Sequence, residues 1–171
     1  TASATGTVRY GTISLSQLAR TPAGTQHFAE LSGLLPATQY FYEVSAEGTP
    51  SIINGTFTTP GASSVRFAHI GEFHANSYPI EVGRFAPVIR NFEPHFIVES
   101  GDMWNSGGSV SDFTHYMQTS RPWISNTLFL PCYSNHVPWS GGNNLIVSHF
   151  RLPDGSPRRP WYSTRYGPVQ V

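Results

Sequence analysis

Through the first third of the chain, apolar and polar residues alternate with a period of two. The segments TVRYG, QHFAEL, QYFYEVSAEG and NGTFTTP all carry this alternation and are separated by Gly, Pro and Ser clusters, so residues 1–60 are expected to be all-β. In QYFYEVSA, Tyr40, Tyr42 and Val44 share one face while Phe41, Glu43 and Ser45 share the other. After the Thr-Pro-Gly-Ala-Ser-Ser stretch at 59–64 the pattern changes. VRFAHIGE, HFIVESGD and TLFLPCYSNH are short apolar runs, and SYPIEVGRFAPVIRNF and VSDFTHYMQTSR between them have helical spacing. The first predicted helix carries Ile80, Phe85, Val88 and Ile89; Pro87 inside it should kink or shorten it, having no N–H to donate. The second places Phe113, Tyr116 and Met117 on one stripe, with Ser111 as candidate cap. Strand–helix–strand–helix–strand over 65–171 predicts a parallel sheet with crossover helices.

In such sheets ligands gather just beyond the carboxyl ends of the strands. The three predicted ends deliver Gly71-Glu72-Phe73-His74, then Gly101-Asp102, then Ser134-Asn135-His136. Taken alone, the Gly-Asp that closes FIVESGD is an ordinary turn sequence. Three neighbouring strands that all end in carboxylate, imidazole or amide donors point instead to one crevice holding a cation.

Composition narrows the rest. Lysine plus arginine equals aspartate plus glutamate at 10 each, which leaves no field to attract nucleic acid or an anionic membrane. No apolar run is long enough to span a bilayer. The single cysteine, Cys132 in LFLPCY, excludes an internal disulfide framework and reads as an inert buried thiol. The chain starts at Thr1 without methionine or a signal-peptide pattern and ends at YGPVQV, in what reads as mid-strand; both ends are expected to be cut.

Two resemblances follow from these residues. LSGLLPATQYFYEVSA resembles the end of a fibronectin type III domain, whose Leu-x-Pro-x-Thr-x-Tyr turn carries a tyrosine corner, here Tyr40, with its hydroxyl bonded to upstream backbone. The order Glu72-Phe73-His74, Gly101-Asp102, Asn135-His136 resembles the leading half of the calcineurin-like metallophosphoesterase pattern, and RPWYSTRYGPVQV resembles the strand that follows the Asn-His motif in purple acid phosphatases. The expected fold is a partial fibronectin III-like β-sandwich over 1–60, followed over 65–171 by an α/β domain, the N-terminal half of a metallophosphoesterase sandwich. The resemblance implies an acid phosphatase-type hydrolase acting on small phosphate monoesters outside the cytoplasm, with two metal ions (Fe, Zn or Mn). It implies Asp102 as bridging carboxylate, Glu72 in place of the first metal's aspartate, His74 as a compensating ligand, Asn135 as ligand of the second metal, and His136 as proton donor or transition-state stabiliser.

The departures from the pattern define a competing expectation. Glu72 is one methylene longer than the family's aspartate, Asn105 stands where purple enzymes have a tyrosine, and Ser134 and Val137 replace the Gly and Glu around Asn-His. The later histidine motifs have no counterpart. On that account the chain is a non-catalytic relic, or a fibronectin-like binding module carrying a degenerate site. His27, His69, His95 and His115 read as structural, His149 as the remaining candidate to line the cleft, and Arg158 and Arg159 as solvated loop charges. Asn54-Gly55-Thr56 fits a glycosylation acceptor.

Overall fold

The computed structural model describes residues 3–49, 52–74, 79–104, 109–136, 145–152 and 162–171. The chain divides into two compact units, Thr1–Ser63 and Ser64–Val171.

The first unit is an antiparallel sheet of β1 (Ala4–Gly11), β2 (Gln17–Gly24), β3 (Gln39–Ala46) and β4 (Ile52–Thr58) in the order β2-β1-β3-β4. Tyr40 is its buried anchor, stacked on Phe57 at 5.4 Å. The Tyr40 hydroxyl accepts the Leu35 N–H at 2.9 Å, the bond expected of a tyrosine corner. Two readings are corrected here. QHFAEL lies outside every strand, and His27, Phe28 and Ala29 are half-buried in succession, so the alternation of residue types is not matched by alternating burial or by ladder pairing. QLARTPAG, by contrast, is strand β2 at the sheet edge, mostly exposed, with little apolar patterning to announce it.

The second unit holds a parallel sheet of β5 (Phe67–Ile70), β6 (Phe96–Glu99) and β7 (Leu128–Pro131), with β6 in the middle. Helix α1 (Pro79–Phe92) joins β5 to β6, and α2 (Val110–Ile124) joins β6 to β7. The short helix α3 (Leu145–His149) and a two-stranded ribbon of β8 (Arg165–Tyr166) and β9 (Val169–Gln170) follow. α1 runs through Pro87 instead of stopping there. α2 is capped by Ser109, whose Oγ accepts the Asp112 N–H at 3.1 Å, two residues before the expected Ser111.

One face of the sheet packs Ile97, Met103, Trp104, Phe113, Tyr116 and Trp123 into the main core. The other buries Phe96 and Leu130 under Tyr166 of the ribbon. Burial of each large side chain contributes about 1.5–3 kcal/mol, so both faces of β6 are anchored and its carboxyl end is held rigidly. Among the described residues no helix is long and apolar enough to cross a membrane.

Candidate metal centre

The loops after β5 and β6 are stitched together by backbone. The Ser100 N–H donates to Ile70 O at 2.9 Å, Glu72 N–H to Gly101 O at 3.1 Å, and His74 N–H to Asp102 O at 2.9 Å. A Cβ on Gly71 would lie 2.3 Å from Ser100 Oγ, so the two strand ends approach closely here. Among the described residues five non-glycines have left-handed backbone, and three of them are Glu72 (φ 60°), His74 (φ 43°) and Asp102 (φ 57°). Each costs about 1–2 kcal/mol. Strain that clusters this way is the mark of a functional turn held by its surroundings.

The side chains converge as well. His74, Asp102 and His136, one from each strand end, place a ligand atom each within 4.8 Å of one another. His74 Nε2 lies 3.8 Å from Asp102 Oδ2 and 3.2 Å from Glu72 Oε2. The His74 and His136 rings meet edge-on at 4.9 Å. The Asp102 side chain is 8% exposed and that of His74 19%, whereas Glu72 is 78% exposed. Asn135 is exposed and adjoins His136 in the bend after β7. The His136 N–H reaches Asp102 Oδ1 at 3.4 Å.

Two imidazoles and a carboxylate suit a borderline cation such as Zn, Fe or Mn. His74 Nε2 is the ring nitrogen that faces the two carboxylates, so it is the donor atom that fits such a cation. A cation bonded at about 2.0–2.2 Å needs its donors somewhat closer than 4.8 Å, a contraction within the reach of side-chain rotation. Among the described residues this is the one such cluster, and it supplies donors for one ion rather than two.

Beneath the cluster lies a carboxyl that sequence reasoning missed. Glu99, the last residue of β6, is fully buried. Desolvation raises its pKa from 4.5 to about 8; the Gly101 and Cys132 backbone N–H groups oppose the rise, and the Asp102 and Glu72 charges add to it. The same burial, with the Glu99 charge as a smaller cause, pushes Tyr116 and Cys132 upward, and Tyr162 likewise. Cys132 is half-buried rather than fully buried, and its raised pKa disfavours the thiolate. The available signal for Glu99 was an acid at the last inward position of a parallel strand.

The remaining candidates stand apart from the cluster. His149 closes α3, with Nδ1 2.8 Å from Ser148 Oγ and 3.0 Å from the Leu145 carbonyl, and its ring 4.3 Å from Phe113. His27 Nδ1 bonds Thr21 Oγ1 at 2.7 Å. His69 is exposed, and His95 Nδ1 accepts the Arg66 N–H at 3.1 Å. Trp104 and Trp123 are core residues. Asn105, Val137, Trp139, Arg158, Arg159 and Trp161 lie outside the described residues.

Compared with known proteins, the chain matches no family profile and no curated protein sequence. Among solved structures it is similar to a purple acid phosphatase isolated from seeds of yellow lupin (Lupinus luteus), with a TM-score of 0.73 and 19% identity. The likeness covers 96% of this chain and 38% of that one. The chain therefore shares the fold of part of a purple acid phosphatase and spans well under half of that protein's length.

Proposed function

We propose that this chain is part of a metal-dependent hydrolase of small phosphate monoesters, of the metallophosphoesterase kind. The observation that carries the reading is the meeting of His74, Asp102 and His136 at the carboxyl ends of three neighbouring parallel strands. Likeness to part of a phosphatase fold supports it. Asp102 and His74 would hold a cation with Glu72 beside them, and Asn135 is proposed as an amide-oxygen ligand of a second Zn, Fe or Mn ion whose other donors are not among the described residues. Such ions, when bound, polarise a phosphoryl oxygen and lower the pKa of a coordinated water.

The chain's own residues do the rest. The buried Asp102 carboxylate fixes the turn it belongs to, accepting the His136 N–H. His136 holds a proton at its ring beside that carboxylate and can pass it to the departing alkoxide of the ester, a role that suits an imidazole near neutral pH. Glu72 and His74 both take left-handed backbone, and Glu72 Oε2 lies 3.2 Å from His74 Nε2. The preceding unit, with its tyrosine-corner bond, is proposed as a fibronectin III-like accessory domain, and by the same resemblance the protein would work outside the cytoplasm.

The direct test is hydrolysis of p-nitrophenyl phosphate by the protein stripped of metal and reloaded with Zn, Mn or Fe, beside Asp102→Asn. Cation-dependent turnover abolished by the substitution supports the reading; turnover unchanged in the variant ends it. A second reading, a non-catalytic relic, draws on the exposure of Glu72 and the small donor set. It predicts cation-free purified protein and no turnover.

A further inference from the structure

We propose that Glu99 and Ser134 are positioning residues for the Asp102 carboxylate, which act by trapping the two successive amides of the Gly101–Asp102 turn. The proposal rests on the metal-centre reading above and assigns parts to two residues that the donor set does not include. The Gly101 N–H donates to Glu99 Oε1 at 3.1 Å, and the Asp102 N–H donates to Ser134 Oγ at 2.9 Å. Both residues of the turn have positive φ, 111° at Gly101 and 57° at Asp102. Neither amide joins the β-ladder, so side-chain acceptors are what hold this conformation.

The turn transmits the constraint further. The carbonyls of these same two residues accept from Glu72 N–H and His74 N–H. Glu99 and Ser134 thus grip one side of a two-residue unit whose other side grips the loop bearing His74. Loosening the amides frees the carbonyls, and with them the second imidazole-bearing loop. Packing tightens the device: a Cβ on Gly101 would lie 2.6 Å from Ser134 Cβ.

Core stability alone gives no reason for a carboxyl at position 99. The side chain is fully buried and its Oε2 has no hydrogen-bond partner, so a leucine there would remove an unsatisfied polar atom from the core. What leucine cannot do is accept from Gly101. The raised pKa of Glu99, about 8, fits this role, since the neutral acid still offers an acceptor oxygen. Ser134, a departure from the glycine of the phosphoesterase pattern, gains a purpose on the same grounds.

The test compares wild type, Glu99→Gln, Glu99→Leu and Ser134→Ala by calorimetric titration with Zn²⁺, alongside urea unfolding. Gln keeps the acceptor and should bind Zn²⁺ as wild type does. Leu and Ala should each weaken binding ~10-fold or more, the size usual for the loss of a group that orients a ligand. Leu should do so without lowering the urea midpoint. A Glu99→Leu protein that binds Zn²⁺ like wild type overturns the proposal, as does a Glu99→Gln protein as weak as Leu. Amide hydrogen exchange in metal-free protein keeps the two readings separable. Gly101, Glu72 and His74 should be protected in wild type and Gln, and exchange ~10-fold or more faster in Leu. If wild type takes up no Zn²⁺, the metal reading fails by itself, and unchanged exchange in Leu then overturns the positioning claim.

Discussion

Glu99 makes the stability of this chain depend on pH in a direction opposite to that of a carboxylate paired with a cation, whose pKa falls on folding. Its pKa rises from 4.5 to about 8 in the folded protein, chiefly through desolvation. The folded state therefore keeps a proton that the unfolded chain releases once pH passes 4.5, and stability must fall as pH climbs between these two values. Below 4.5 the contribution is complete; above about 8 it is gone. At about 1.4 kcal/mol per pH unit, the full swing is on the order of 5 kcal/mol. The groups that face Glu99 do not supply a compensating cation: Tyr116 on α2, Cys132 after β7, Tyr162, and the Asp102 and Glu72 carboxylates all disfavour its ionisation or are disfavoured by it. The perturbation is Glu99→Gln, which keeps shape and acceptor but cannot titrate. The assay is urea unfolding of both proteins with chelator present, at intervals between about pH 5 and pH 9. Titrations of groups not coupled to Glu99 are common to both and cancel in the difference. Wild type should lose stability relative to the variant with a slope approaching 1.4 kcal/mol per pH unit through this window, then run parallel to it. Two profiles that stay parallel throughout would refute the reasoning.

Other outcomes follow from the same geometry. His136→Ala should lower kcat ~100-fold or more while metal content stays unchanged, if the ring is a proton donor; metal analysis that shows loss of the ion would make it a ligand instead. Gly101→Ala must place a side chain at φ 111° and against Ser134, so its urea midpoint should fall, by roughly 2–3 kcal/mol in free energy. Tyr40→Phe removes the acceptor of the Leu35 N–H and should cost the first unit about 1 kcal/mol, read from its denaturation curve.

What the sequence revealed and what it hid have physical causes. The three apolar runs became β5, β6 and β7; the central β6, buried on both faces, carries the uninterrupted apolar pattern most fully. The tyrosine corner was legible since its spacing is local. QHFAEL misled because alternating residue types there coincide with neither ladder pairing nor alternating burial, and β2 escaped because an exposed edge strand needs little apolar patterning. At the site, donor types at strand ends were readable, and the structure brings His74, Asp102 and His136 together. The left-handed turns at Glu72, His74 and Asp102 were not, because no glycine marks them. Glu99 was hidden inside an apolar run, where only a view of the turn that it bonds reveals its part.

The account stands on His74 and Asp102 holding one cation beside the ring of His136. Titration of Zn²⁺ into metal-free protein, followed by ¹⁵N resonances of the histidine rings, tests this most directly. His74 and His136 should respond together, saturate at a single equivalent, and stop responding in Asp102→Asn, while His27, His95 and His149 stay unmoved. Rings that shift independently, or a response that survives the Asp102 substitution, would contradict it.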